Sequence, residues 1–245
     1  MELFYSRDIA QGGRMLNQEE SNHCIRVLRH QPGDTIHIVD GIGSIYECRI
    51  VDASPKAVAF EVLKAEEGFG SHPYHLQMAV APPKNIERFE WFAQKATEIA
   101  VDRITPLFGD YSERKVFKKD RCERIVLSAA KQSHKAAFPV VDDAVSVRSF
   151  LAGPFGDDVT KLICYCDYTS FLNVDKITIS EAISQVPADK YVIMIGPEGD
   201  FSREEVRMAV ERGWQPVSLG NSRLRIETAA LTAVAAVYLK YIDHQ

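Results

Sequence analysis

Hydrophobic and polar positions follow two different rhythms, which meet near residue 70. In the first part, apolar residues recur at the two-residue period of half-buried strands. Asp34–Asp40 alternates, Gly41-Ile42-Gly43 turns the chain, and Ser44–Val51 returns with Ile45, Cys48 and Ile50 giving an imperfect apolar rhythm. Two strands about a short glycine turn signal a hairpin. A further strand is predicted over Ala57–Leu63, and several short strands in this length predict a small β-barrel. Before them, Asn17-Gln18-Glu19-Glu20 opens a short helix carrying His23, Ile25, Val27 and Leu28. Residues 66–73 are polar and bear Gly and Pro, which predicts a linker.

From Tyr74 onward, strands alternate with helices. Strands are predicted over His75–Val80, Arg103–Phe108, Lys161–Cys166, Tyr191–Ile195 and Pro216–Leu219. Asn85 caps a predicted helix running to about Val101, with Phe89, Phe92, Ala93, Ala96 and Ala100 on one face. Further helices are predicted over Asp120–His134 and Ile179–Gln185, then from a Ser202/Glu205 capping box to Gly213, then over Ile226–Ile242. The run Tyr191–Ile195 is continuously apolar, as a strand buried on both faces requires. This alternation predicts a mostly parallel α/β sheet. The expected domains are residues 1–70 and 74–245.

Composition narrows the class without naming a function. Of 245 residues, 46% are hydrophobic and 26% charged, the balance of a globular chain rather than a disordered one. The formal net charge is −5, so any nucleic-acid contact must be a local patch on an acidic body. No run is long and apolar enough for a membrane span, and the first residues carry charges instead of a signal-peptide core. The five cysteines have no CxxC spacing, which predicts core thiols, no metal and a reducing, cytoplasmic setting.

Chemistry concentrates in three places. Gly196-Pro197-Glu198-Gly199-Asp200 and Gly220-Asn221-Ser222-Arg223-Leu224-Arg225 follow predicted strands, where open α/β sheets bind ligands. Glu198 and Asp200 disfavour phosphate, so the loops are either tight turns or a cradle for a partly cationic ligand rich in amine and ribose groups. Second, residues 112–135 hold eight bases against three acids, a net +5. That segment reads either as a polyanion contact or as a solvated helix face. By contrast, residues 1–70 hold seven bases and eleven acids, so RNA contacts there would be individual groups such as His23, Arg26 and Arg29. His23 reads equally as a surface histidine. Third, the small residues Ala229, Ala230, Ala233, Ala235 and Ala236 allow the last helix to pack closely on the sheet, a ligand or a partner subunit.

Four ordered segments carry a family resemblance across nearly the whole chain. IGPEGD with FSREE (195–205), followed by SLGNSRLRIETAAL (218–231), resembles the ribosomal RNA small subunit methyltransferase E family, of the SPOUT class. HCIRVLRHQPGDTIHIVDGIGSIYEC (23–48) resembles that family's PUA-like RNA-binding domain, and 84–107 and 129–141 match its middle segments. The chain departs at Asp200, where glycine is more usual, and at Leu224 for isoleucine. It departs again at Ile99-Ala100 for Leu-Gly and at KQSHK (131–135) for EQSxR.

The resemblance implies an N-terminal PUA-like β-barrel and a C-terminal SPOUT α/β domain with a trefoil knot, assembled as a homodimer. It implies methylation of N3 of one uridine in 16S rRNA, with S-adenosyl-L-methionine as donor and free rRNA or the small ribosomal subunit as substrate. Expected cofactor residues are Ile195, Gly196, Pro197, Glu198, Gly199, Leu219, Gly220, Leu224, Arg225, Glu227, Thr228 and Ala229. Arg225 is the candidate stabiliser of charge developing on the uracil, and Glu198 the candidate positioner or base. Expected RNA contacts are His23, Arg26, Arg29, Arg114, Lys118, Lys119, Lys131, Gln132, His134 and Lys135. The alternatives are a ribose 2′-O-methyltransferase of the same class and a non-catalytic rRNA-binding assembly factor.

Overall fold

Alternation and glycine turns produce three of the four N-terminal strands where the sequence places them, and a fourth, at Leu3–Tyr5, carries no such signal. The computed structural model describes residues 2–166, 174–185 and 189–242. Strand β1 (Leu3–Tyr5) precedes helix α1 (Gln18–Asn22), and β2 (Thr35–Val39), β3 (Ser44–Ser54) and β4 (Ala57–Glu67) follow. The Asn17 side chain caps α1 by accepting the Glu20 amide at 2.9 Å. The predicted single helix is divided, because His23–Val27 continue as a π-helical turn. Arg29 then leaves it with φ +63°.

The four strands pair in the order β1-β2-β3-β4, with β1 parallel to β2 and the other pairs antiparallel. Among the described residues nothing joins β4 to β1, so the sheet is open and the expected closed barrel is corrected. The reason lies at the free edge of β4. There Leu16 donates to the Val58 carbonyl and Phe60 to that of Arg14, so residues 14–16 cover the edge that closure would need. Phe4, Ile36, Ile38, Cys48, Ile50, Val58 and Phe60 fill the core behind it.

Contacts divide the chain into two units, Met1–Ser71 with Leu127–Phe138, and His72–Val126 with Pro139–Gln245. The 127–138 segment is tied to the first unit by packing and by backbone bonds. Ala136 shares a cluster with Leu3, Val39 and Ile45, and the Phe138 amide donates to the Gly41 carbonyl. Within the same unit, Nζ of Lys131 lies 2.6 and 2.9 Å from the two carboxylate oxygens of Glu20.

In the second unit the elements are β5 (His75–Val80), α2 (Ile86–Ile99), β6 (Arg103–Phe108), α3 (Lys119–Gln132, its end in the first unit), β7 (Val140–Val141), β8 (Val145–Ser146) and α4 (Val147–Leu151). Then come β9 (Val159–Cys164), β10 (Ile177–Thr178), α5 (Ile179–Gln185), β11 (Lys190–Ile195), α6 (Arg203–Glu211), β12 (Gln215–Ser218) and α7 (Ile226–Lys240). The sheet runs β10-β12-β9-β11-β5-β6-β7, β8 also pairs with β6, and every pair is parallel, as the strand–helix alternation requires. Side chains alternate between two cores. Met78 and Ile193 face α2 and α7, while Ala79, Val192 and Met194 face α4 and α6. Both bonds of the Ser202/Glu205 capping box are made. Ala100, one of the departures from glycine, ends α2 at φ +130°, and Asp200, another, sits at φ +68°. No described helix is long and apolar enough to cross a membrane.

Candidate functional site

Because β12, β9 and β11 are parallel neighbours, the loops leaving them emerge on one edge of the sheet. They enclose a cavity of about 690 Å³, within the roughly 300–1,000 Å³ of small-molecule sites. One wall is Ile195–Asp200 and another is Val217–Ile226, with Glu227 and Ala229 of α7. Cys164–Cys166 line it after β9, and Pro83 and Arg88 complete it from the β5–α2 side. The lining is apolar at Pro197, Val217, Leu219, Leu224 and Ile226, and it carries three carboxylates, Glu198, Asp200 and Glu227.

The glycines of the first loop serve the protein's own packing. A Cβ on Gly196 would stand 3.0 Å from the Phe201 amide nitrogen, and one on Gly199 2.9 Å from Tyr111 Cβ. Gly220 is different, with φ +103° and no atom within 4 Å on its Cβ side. It sets a left-handed turn while leaving the cavity open.

The loop carboxylates are occupied by backbone amides. Glu198 Oε1 accepts the Lys84 amide at 2.8 Å. Arg114 holds the other side of that segment, donating to the carbonyls of Pro83 at 3.1 Å and Lys84 at 2.7 Å. Asp200 accepts the Cys166 amide at 2.6 Å and the Phe201 amide at 2.8 Å, which lets a non-glycine residue hold the left-handed turn. Burial pushes both the Cys164 and Cys166 thiols up, so neither presents a thiolate to the cavity. Among the described residues no group of three His, Cys, Asp or Glu side chains could hold a metal.

Of the expected cofactor residues, Ile195, Gly196, Pro197, Glu198, Gly199, Leu219, Gly220, Leu224, Arg225, Glu227 and Ala229 come together around this cavity. Thr228 does not line it; the residue is exposed and its carbonyl accepts the Thr232 hydroxyl at 2.8 Å. Arg225 is exposed at the N-cap of α7; its carbonyl accepts the Ala229 amide at 2.8 Å, and its guanidinium has no hydrogen-bond or ion-pair partner among the described residues. Sequence reasoning missed Pro83, Arg88, Tyr165 and Cys166, which reach the cavity only through strand order and the packing of α2 beside α7.

The expected RNA contacts divide between the units. His23, Arg26, Arg29, Lys131, Gln132, His134 and Lys135 belong to the first, and Arg114, Lys118 and Lys119 to the second. Arg26, Arg29, Lys118, Gln132 and His134 are exposed. His23 Nε2 lies 3.4 Å from Glu2, and Lys119 is 3.5 Å from Asp143. Lys131 is committed to the buried Glu20, and burial pulls Lys135 below the usual lysine range.

Residues 70–238 match the family described as RNA methyltransferase domain, and residues 16–63 the RNA methyltransferase PUA domain. The fold and the loop-lined cavity are therefore those of an RNA methyltransferase. More particularly, the chain belongs to the ribosomal RNA small subunit methyltransferase E family, as its four motifs lead one to expect. The Synechocystis member is 29% identical over 224 residues, 91% of this chain and 71% of that protein. Among solved structures, a probable rRNA methyltransferase of Porphyromonas gingivalis matches all of both chains with TM-score 0.89 and 36% identity. Ribosomal RNA small subunit methyltransferase E of Neisseria gonorrhoeae, solved with S-adenosyl methionine bound, covers 98% of both chains with TM-score 0.80 and 27% identity.

Proposed function

We propose that this protein transfers a methyl group from S-adenosyl-L-methionine to N3 of one uridine in small-subunit rRNA. The observation that carries the reading is the cavity at the ends of β9, β11 and β12 in a chain of this family. Its donor set suits the cofactor. Carboxylates and backbone groups face a partly cationic ligand, the apolar walls take its adenine, and Gly220 leaves room on its Cβ side. Ile195–Gly199, Leu219–Gly220 and Leu224 would hold it, with Ala229. When bound, it supplies an electrophilic methyl group on a sulfonium.

The chain's own groups do the rest. Glu198 and Arg114 brace the Pro83–Lys84 segment, so that wall is rigid before any ligand arrives. The unpartnered Arg225 guanidinium is available to stabilise negative charge on a uracil carbonyl as N3 loses its proton. Uracil N3 lies on the Watson–Crick edge, so the target base must leave its pair and stack. Arg26, Arg29, His23, Lys118, Gln132, His134 and Lys135 are the groups we assign to flanking RNA. In this reading residues 1–70 and the basic groups over 118–135 serve RNA binding, and the rest of 74–245 serves catalysis. The chain works in the cytoplasm as a homodimer whose second copy covers the exposed Leu239 of the last helix and Ile242 just beyond it. A knot through the 195–225 loops is supported by β12 pairing beyond β9 while α7 returns to pack on β5 and α2.

The test is methyl transfer to 16S rRNA, free and in the small subunit, followed by nucleoside mass spectrometry. N3-methyluridine is the expected product. A methyl group on ribose would replace the reading with 2′-O-methylation, and tight RNA binding without any transfer would replace it with an assembly role.

A further inference from the structure

The three cavity carboxylates are not equivalent. Glu198 and Asp200 are spent on the amides of Lys84, Cys166 and Phe201. Glu227 is 11% exposed, and its Oε2 is buried with no hydrogen-bond partner among the described residues. Its Oε1 lies 3.9 Å from Nε of Arg88, close enough to feel the charge but too far for a hydrogen bond. A buried carboxylate oxygen without a donor forfeits its hydration with nothing in return. Native folds rarely retain such an atom unless a partner arrives from outside the chain. Here that partner comes from the cavity that Glu227 lines.

We propose that Glu227 is the proton acceptor for the nucleophilic nitrogen, and this rests on the uridine-N3 reading above. Uracil N3 is neutral and carries a hydrogen, so methylation without proton loss would leave a cationic base. The N3–H proton passes to Oε2 of Glu227. The electron pair left on N3 forms the bond to the methyl carbon, and the carbon–sulfur bond of the sulfonium donor breaks with its pair retained by sulfur. An anionic carboxylate, a neutral base and a cationic donor thus become a neutral acid, a neutral N-methyl base and a neutral thioether. The carboxyl group then returns its proton to water. Arg88 acts as a positioning residue that holds the carboxylate toward the cavity. Neither raised thiol competes for the proton, since each already holds one.

Glu227→Gln keeps the shape and removes the acceptor. The folded protein loses no hydrogen bond at Oε2, so the variant is expected to melt no lower than wild type. Its affinity for the thioether product, S-adenosylhomocysteine, measured by calorimetry, is expected to stay within about three-fold, while single-turnover transfer falls by about 100-fold or more. Rescue makes the test specific. RNA carrying 5-fluorouridine at the target has a more acidic N3–H and should restore most of the variant's rate, with little change for wild type. Product affinity falling in step with the rate would make Glu227 a cofactor ligand and overturn the proposal. Absence of fluorouridine rescue would overturn it too. Wild-type product carrying its methyl on ribose is a separate failure, of the uridine-N3 reading itself.

Discussion

Replacing Lys131 tests whether that residue belongs to the fold or to RNA. Its ammonium meets both oxygens of Glu20 at 2.6 and 2.9 Å, and the side chains are 21% and 8% exposed. The two partners are not symmetric. Lys131→Met strands a carboxylate that has little access to water, and breaking a buried pair this way costs about 3–5 kcal/mol. The lower figure applies, because the lysine end is partly wet. Glu20→Leu leaves an ammonium on a flexible stem that swings to solvent, at a cost of about 1 kcal/mol. Replacing both, as Glu20→Leu with Lys131→Met, removes the desolvation penalty together with the attraction and should sit near wild type. Urea denaturation of the four proteins gives the coupling energy, expected at about 4 kcal/mol in the double-mutant cycle. The RNA salt slope of the Lys131→Met protein, measured where it is folded, should match wild type. Equal losses under about 0.5 kcal/mol in both single variants would refute the buried-pair argument. A flattened slope with unchanged stability would make Lys131 a phosphate contact after all.

Other substitutions probe the remaining links. Arg225→Ala should slow single-turnover transfer about 100-fold or more with RNA and cofactor affinity nearly unchanged; equal loss of cofactor affinity would make it a binding residue. Glycine at the two departures should act with opposite sign in thermal unfolding. Ala100→Gly relieves about 1–3 kcal/mol of strain against ~0.4–1 of chain entropy and ~0.8 of lost burial, a gain of order 0.5. Asp200→Gly, by contrast, loses the bonds to Cys166 and Phe201 and should destabilise. Burial opposes ionisation of Asp142, yet hydrogen bonds from Arg103 and Thr105 prevail and hold its carboxyl below the usual carboxylate range. Its contribution is therefore present above about pH 4 and lost as pH falls through the folded-state value, so the deficit of Asp142→Asn should shrink in acid titrations. A deficit constant from pH 7 to pH 3 would contradict the assignment.

What the sequence determined by itself was local. Two-residue alternation located β2, β3 and β4, and helical spacing with Asn85 located α2. Ser202 and Glu205, three positions apart, located the start of α6, and the continuous run at Tyr191–Ile195 marked the doubly covered strand β11. Motif order was also sequence information, and it carried the family. These signals depend on neighbours within a turn or a strand, where the chain closes no loop to use them.

Tertiary structure decided everything that joined distant residues. The two-residue strands β7, β8 and β10 have no periodicity to read; they exist because a longer strand already offers an edge. Arg14–Leu16 covers β4 and leaves the first sheet open, a competition between edges that no local pattern records. The basic run at 112–135 is one stretch in sequence but belongs to two units, and its Lys131 spends its charge on Glu20, 111 positions away. Glu227 was legible as part of a motif, whereas its orphaned oxygen and the nearby Arg88 were not. Burial and strand order are properties of the closed chain, since loop closure is offset only by contacts formed after the ends have met.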